Sequence, residues 1–299
     1  MPRSSIQCCH LPDGRLHLQE GPIDLIIEAF GEAKEVTRAY AAAASSFEDV
    51  LPGLVAELAA LRRPLADSPA FASPVARRMA AACAAHLSPQ GGVFVTPMAA
   101  VAGAVADHVL AAMTAAADLA RAYVNDGGDI ALHLMPGERF ACGLVAAVAA
   151  PRLDGRAVIA AETPVRGIAT SGRATLGQGG RSFSRGIADA VTVLARTAAA
   201  ADVAATLIAN AVDLPDHPAV RRCPASEIDP ESDLGDLPVT LAVGVLSAVE
   251  VAAALESGAR EAAAMRRDGR IEAAVLFLRG EAVVLGEETL QLPGQGRAA

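Results

Sequence analysis

Residues 163–210 read TPVRGIATSGRATLGQGGRSFSRGIADAVTVLARTAAAADVAATLIAN. A loop rich in serine, glycine and arginine lies between two predicted strands, RGIAT and ADAVTVLA, and an alanine-rich helix over 198–211 follows. Glycine-rich loops expose backbone N–H groups, and guanidinium groups beside them supply positive charge, so together they are suited to hold a phosphate or another anion. The segment therefore predicts an anion site in the loop between two strands.

The loop offers hydroxyl, backbone and guanidinium donors to such an anion. Arginine binds phosphate through two parallel hydrogen bonds, which favours a role for the arginines of this loop. The alternative is a flexible, solvated loop with no ligand. The candidate ligand-binding residues are Thr170, Ser171, Gly172, Arg181, Ser182, Ser184 and Arg185.

Asp202 and Thr206 follow on the predicted helix, four residues apart and therefore on one face. A carboxylate and a hydroxyl side by side are hard oxygen ligands of the kind that Mg²⁺ takes. The alternative is structural: Asp202 would cap its own helix, and the Thr206 hydroxyl would bond back to a carbonyl of that helix.

Two earlier motifs admit a ligand. Thr96 and Pro97 are predicted to open a helix that runs to about residue 119, as N-cap and first helical residue, and small residues at its start would let a ligand or another backbone come close. The run Asn125-Asp126-Gly127-Gly128-Asp129 is typical of a tight hairpin turn. The functional alternative places this turn under a ligand, with Asn125 or Asp129 pointing at it.

Composition narrows the classes of function. Hydrophobic residues make up 53% of the 299 residues and aromatic residues only 3%, so we expect either closely packed alanine-rich helices on a sheet or burial shared with a second subunit, as a homo-oligomer. The net charge of −9 argues against a nucleic-acid surface and fits a small anionic ligand. No membrane span and no signal peptide are expected. The cysteines fit reduced thiols in a cytoplasmic protein; they are Cys8, Cys9, Cys83, Cys142 and Cys223.

Strand and helix patterns alternate along the chain, and several strand pairs are hairpins, which predicts an α+β fold with a mixed or antiparallel sheet packed against helices. We expect one domain over 1–299, with its core in 15–290, an irregular excursion at 213–237 and a loose tail at 291–299. A hairpin is predicted at 15–30, helices at 32–62 (interrupted near Ser45), 74–86 and 247–267, and a closing hairpin follows.

Four segments in order, TPMAAVAG, NDGGDI, ATSG with GGRSFSRGIADAVTV, and ADVAATLIAN, resemble the ApbE superfamily, whose best-known members are flavin transferases. The similarity is greatest to an uncharacterised cytosolic branch and is strong over about residues 90–212. The resemblance implies a T-fold-like, ApbE-like α+β architecture. It also implies that Asp202, Thr206 and a carbonyl at Ala99 hold Mg²⁺, and it adds Asp189 to the ligand-binding residues.

The resemblance implies binding of a flavin nucleotide or a related phosphorylated heterocycle, with Mg²⁺-assisted group transfer. Transferases carry an acidic residue and a lysine where this chain has Thr96 and Ala102, and their His-x-x-Asp-Pro segment is replaced by residues 184–189. Several functions stay open. The chain is a metal-assisted transferase, a non-catalytic module that binds a flavin or a pterin, an enzyme of pterin or one-carbon cofactors, or an inert structural protein.

Overall fold

The computed structural model describes residues 6–65, 70–87, 93–146, 153–172, 183–286 and 289–292. The chain divides into two compact units, each assembled from separate segments. Unit 1 comprises Met1–Arg139, Ala160–Ala169 and Arg196–Val203, and the other segments form unit 2: Phe140–Ile159, Thr170–Ala195 and Ala204–Ala299. The expectation of one domain stays a prediction.

The sheet of unit 1 is antiparallel, and its strands lie side by side in chain order. Leucine and isoleucine alternate with polar residues along its second and third strands, which buries one face and leaves the other partly open to water. The strands are β1 Gln7–His10, β2 Leu16–Glu20, β3 Ile23–Phe30, β4 Arg121–Asp126 and β5 Asp129–Leu134.

The helices of unit 1 are α1 Ala33–Phe47, α2 Val50–Ala56, α3 Leu58–Leu61, α4 Pro74–Ala84 and α5 Val101–Ala116. A 3-10 turn over Pro97–Ala100 precedes α5. α5 packs against α1, α4, β4 and β5, and alanine and valine side chains dominate its buried face. Together with the 3-10 turn it is long and apolar enough to cross a membrane by length and composition, a test that the core helix of a soluble protein also passes.

Unit 2 contains the remaining elements, four of which begin or end in unit 1. In the described residues, β8, β9, β12 and β13 lie side by side in that order, β10 pairs with β11, and β7 lies between β6 and β14. The elements are β6 Arg139–Leu144, β7 Gly155–Ala160, β8 Gly167–Ser171, β9 Ala190–Ala195, α6 Ala198–Ala211, β10 Val220–Pro224, α7 Ala225–Ile228, β11 Pro238–Val243, α8 Ala248–Arg267, β12 Ala273–Leu278, β13 Glu281–Leu285 and β14 Leu290–Gln291.

The α+β fold class is confirmed, and so are the hairpin β2–β3 and the helix at 198–211. α8 begins at Ser247 with a full capping box, in which the Ser247 side chain accepts from the Glu250 N–H and the Glu250 carboxylate accepts from the Ser247 N–H. Five features differ from expectation. The helical region after residue 32 breaks at Glu48 and Asp49 instead of Ser45.

The segment expected to be an irregular excursion, 213–237, contains β10 and α7. Its strand has no apolar alternation and is ordered by pairing with β11 across a bulge at Arg221 and Arg222. β1 was not predicted, because all four of its residues are exposed and only its ladder with β2 orders it. The Thr96 side chain does not cap the following helix. Of the expected loose tail, Gln291 belongs to β14, and residues 293–299 lie outside the described residues.

Candidate functional site

The N-terminus of α5 is capped by a residue distant in sequence. The Gly103 N–H donates to Oδ2 of Asp202 at 3.1 Å, and the Ala102 N–H also stabilises the ionised carboxylate. A Cβ on Gly103 would lie 2.4 Å from the Ala198 carbonyl oxygen, so only glycine allows α5 to approach the start of α6 this closely. The expectation that Asp202 caps its own helix is therefore wrong: Asp202 lies in the second turn of α6 and caps α5.

α5 returns the interaction. The Ala198 N–H donates to Oδ1 of Asp107 at 3.0 Å, and the Ala199 N–H donates to Oδ2 at 2.9 Å. Burial raises the pKa of Asp107, while these two N–H groups and the charge of Arg78 lower it. Each helix thus caps the other with an aspartate.

Asp202 lies close to two further carboxylates, and we call Asp126, Asp129 and Asp202 the acid corner. Burial raises the pKa of Asp202 well above its ordinary value, and the charges of Asp129 and Asp126 raise it further. Burial likewise raises the pKa of Asp126, with the charges of Asp129 and Asp24 adding to the effect. No basic side chain among the described residues forms an ion pair with Asp202. The acid corner therefore brings three carboxylates close enough to raise the pKa values of Asp202 and Asp126.

The hairpin between β4 and β5 presents two of these carboxylates. Asp126 pairs with Asp129 across a two-residue turn, and Gly127 and Gly128 adopt φ of 61° and 114°, a conformation that favours glycine. The Asn125 Oδ1 accepts from the Gly128 N–H at 2.8 Å and closes the turn. The Asn125 side chain therefore has a structural partner, whereas the hairpin itself brings Asp129 towards Asp202.

The expected metal ligands are placed as follows. Ala99 lies in the 3-10 turn that precedes α5, and Thr206 lies one helical turn after Asp202 on α6. The described residues show no hydrogen bond of the Thr206 hydroxyl, so the expected bond back to its own helix is absent there. They also contain no group of three or more His, Cys, Asp and Glu side chains arranged to hold a metal ion. The assignment of Asp202, Thr206 and Ala99 as ligands stays a prediction.

In unit 2, several predicted ligand-binding residues have partners within the protein. The Thr170 and Thr192 hydroxyls lie 2.9 Å apart, and the Ser184 hydroxyl donates to the Gly186 carbonyl at 3.3 Å. The Asp189 carboxylate accepts from the Arg279 N–H at 2.6 Å and supports the turn between β12 and β13. These bonds give the side chains structural roles, and ligand binding by them stays a prediction.

Gly172 follows β8 with φ of 121°, and a Cβ there would lie 3.0 Å from the Asp189 carbonyl oxygen. Ser171 precedes it at the end of the strand. Arg181 and Ser182, together with the rest of 173–182, lie outside the described residues. The anion loop is thus described only at its two ends.

Arg185 is held by its backbone, because its N–H donates to the Asn210 Oδ1 at 3.0 Å. Its side-chain Nε is buried and has no hydrogen-bond partner among the described residues. Its guanidinium charge lowers the pKa of Asp213, which burial raises. A buried guanidinium donor without a partner is consistent with the expected anion contact, which stays a prediction.

Sequence patterns missed three residues at the contact between α5, α6 and the β4–β5 hairpin. Asp107 was visible only as a charge inside an apolar run, Asp126 as part of a turn, and Gly103 as one of several small residues. An aspartate in an apolar helix is a usable signal, because a buried carboxylate requires donors.

The family model described as AbpE bacteria matches residues 8–284. The chain belongs to the ApbE superfamily.

Among curated members, a UPF0280 protein of Methanosphaerula palustris is 37% identical over 145 residues, which is 48% of this chain and 55% of that protein. A UPF0280 protein of Methanopyrus kandleri is 40% identical over 116 residues, which is 39% of this chain and 43% of that protein. The matches thus span about half the length of these relatives.

The chain is also similar to two solved structures. The ApbE protein of Thermotoga maritima has a TM-score of 0.38 at 12% identity, with 71% of this chain and 88% of that chain covered. The flavinyl transferase ApbE of Pseudomonas stutzeri, in its apo form, has a TM-score of 0.40 at 14% identity, with 94% of each chain covered.

Proposed function

We propose that the chain binds a flavin nucleotide or a related phosphorylated heterocycle together with Mg²⁺, and that Asp202 is the carboxylate that binds the cation. The acid corner carries this proposal. Asp202 is partly covered and has two like charges nearby, so a cation would relieve the repulsion among these carboxylates.

The donor set fits Mg²⁺ in chemical type. Oδ2 of Asp202 is fixed by the Gly103 N–H, which leaves Oδ1 for the cation. The Ala99 carbonyl, in the 3-10 turn before α5, would supply a second hard oxygen. Asp126 and Asp129 would act through their charge, because the described residues show no joint metal-ligand arrangement of three such side chains.

Mg²⁺, when bound, would neutralise the phosphate charge of the ligand and polarise its oxygens. The chain's own groups would orient the pair: the positive end of α5 lies beside Asp202 and limits the charge that accumulates there. Because Mg²⁺ keeps several waters, we expect tight binding only when the anionic ligand is also present.

Calorimetric titration of the protein with FMN and with FAD, in Mg²⁺ and in EDTA, tests the proposal. We expect Mg²⁺ to raise the affinity of the wild type at least about tenfold, or about 1.4 kcal/mol. Asp202→Asn should abolish that gain. The control is Asp49→Asn, which removes an exposed carboxylate of unit 1 and should keep the gain. Equal affinity with Mg²⁺ and EDTA would refute the metal role, and no binding of either nucleotide would refute the ligand class.

The Mg²⁺ effect should also depend on pH. Protonation of Asp202 competes with the cation, and the pKa of Asp202 is raised. The gain should therefore weaken as the pH falls, beginning at a higher pH than an ordinary aspartate would give. Titrations at several pH values measure it, and a gain that does not change with pH would contradict the assignment of Asp202.

A further inference from the structure

Three side chains with complementary chemistry meet on the outer face of the unit 1 sheet: Cys9 on β1, His17 on β2 and Asp24 on β3. Cys9 lies directly opposite His17 in the β1–β2 ladder. His17 lies opposite Ile26 in the next ladder, and Asp24 is two residues from Ile26. Because side chains two residues apart share a face, all three point to the same side.

Their distances order them as a chain of hydrogen-bonding groups. Sγ of Cys9 is 3.8 Å from Nδ1 of His17, and Nε2 of His17 is 2.9 Å from Oδ1 of Asp24. The Asp24 carboxylate accepts a hydrogen bond from Nε2–H. In the neutral imidazole this places the lone pair on Nδ1, which faces the thiol. The three side chains are thus arranged in space as a nucleophile, a base and a group that orients the base.

The thiol is open to reagents. Cys9 is exposed, whereas Cys83 is buried and Cys142 and Cys223 are partly covered. Asp24 is half-exposed, and only 21% of the His17 side-chain surface is accessible, so the imidazole is held between its two partners. An accessible sulfur next to an oriented base is the environment in which cysteines react.

We propose that Cys9 is a nucleophilic thiol that exchanges with the disulfides of small thiols. The Cys9 proton passes to Nδ1 of His17 as the sulfur attacks one sulfur of the disulfide. The S–S bond of the reagent breaks and a mixed disulfide forms on Cys9. The departing thiolate takes the proton from His17 and leaves as a thiol, so one thiol and one disulfide are consumed and one of each is formed.

The neighbouring cysteine does not release the adduct. Cys8 lies opposite Leu18, and successive side chains of a strand point to opposite faces, so Cys8 is directed away from Cys9. The mixed disulfide therefore persists until an external thiol removes it, as in a reversible modification. Cys8 is also exposed, and it lacks the histidine, so it is an internal reference. The reaction does not depend on ligand binding at Asp202.

Reaction of the full chain with oxidised glutathione at neutral pH tests the proposal, with the two adducts separated by peptide mass spectrometry. We expect Cys9 to react at least about tenfold faster than Cys8. His17→Gln should bring the ratio of the two rates to within about twofold of unity, and Asp24→Ala should lower it part of the way. The control His217→Gln removes a histidine that contacts Glu250 in unit 2, and it should leave the ratio unchanged.

In an unfolded chain both thiols would react alike, so the ratio is compared only on variants whose folding circular dichroism verifies. Equal rates at Cys8 and Cys9 in the wild type would overturn the proposal. A fast Cys9 whose ratio survives His17→Gln would also overturn it, because the reactivity would then have another cause. Should His17→Gln not fold, Asp24→Ala decides alone: a lowered ratio supports the proposal and an unchanged ratio overturns it.

Discussion

The two aspartates exchanged between α5 and α6 perform the same capping task in different surroundings. Asp107 uses both carboxylate oxygens to accept two N–H groups and has the charge of Arg78 nearby. Asp202 accepts the Gly103 N–H at Oδ2, is also stabilised by the Ala102 N–H, and has the charges of Asp126 and Asp129 nearby. The first is a completed structural cap. The second lies beside two like charges, which is why we assign the proposed function to Asp202.

The mutual capping depends on the close approach of α5 and α6, and Gly103→Ala should disrupt this approach. The added Cβ would lie 2.4 Å from the Ala198 carbonyl oxygen and 2.5 Å from its carbon, and these backbone atoms cannot rotate away. We expect the free energy of unfolding to fall by about 3 kcal/mol. Denaturant titration measures the change.

Gly53→Ala is the matched control. Gly53 lies within α2, and a Cβ there would be 3.4 Å from the Ser73 Oγ, an ordinary contact. Alanine has the higher helix propensity, so this variant should be neutral or stabilised by about 0.5 kcal/mol. Equal effects of the two variants would show that α5 and α6 are not in close contact at Gly103.

Removing each cap separately should show that Asp107 contributes mainly to the free energy of unfolding and Asp202 mainly to Mg²⁺-dependent binding. Asp107→Ala leaves two N–H groups of α6 without their acceptor and should cost about 2 kcal/mol, with Mg²⁺-dependent nucleotide binding retained in the folded fraction. Asp202→Ala loses a cap but relieves repulsion, so it should cost less than about 1 kcal/mol and abolish the Mg²⁺ effect. Thermal unfolding and calorimetry on both variants measure this. The opposite pattern would reverse our assignment of roles.

Much of the fold follows from local patterns, whereas the mutual capping of α5 and α6 does not. Alternating leucine and isoleucine predict β2 and β3, and Ser247 with Glu250 predicts the start of α8. Thr96 and Pro97 resemble a helix start, yet α5 begins after a 3-10 turn and takes its cap from Asp202, 99 residues away. The Asp107 bonds to α6 span 91 and 92 residues. Local sequence carries no record of such partners, so the tertiary contact overrides the local signal.

A smaller effect should separate charge from coordination within the acid corner. Burial and the charges of Asp129 and Asp24 raise the pKa of Asp126 in the folded chain. Protonated Asp126 therefore stabilises the fold at low pH, and this contribution is lost as the pH rises through the folded-state pKa. Asp126→Asn resembles the protonated form, so it should raise the free energy of unfolding by about 1 kcal/mol at about pH 8 and change it little at about pH 4, near the ordinary aspartate pKa.

Denaturant titrations at both pH values check this prediction, with Asp49→Asn as the exposed control that should show no pH-dependent gain. Destabilisation of Asp126→Asn at the higher pH would mean that its ionised form has a partner that stabilises it. In that case the acid corner would not be short of positive charge, and the argument for a cation at Asp202 would fail with it.

The smallest expected effect is a null result. Ala102 donates its N–H towards Asp202 at the start of α5 and offers only a methyl group where the resembled transferases carry a lysine, and Thr96 replaces their acidic residue. Without a lysine ammonium to stabilise developing charge on a transferred phosphoryl group, binding should not lead to transfer. We expect no covalent flavin on a threonine-containing acceptor peptide incubated with the protein, FAD and Mg²⁺. In-gel fluorescence detects the product, and a flavinylated peptide would show that Asp202 and the cation suffice for chemistry and not only for binding.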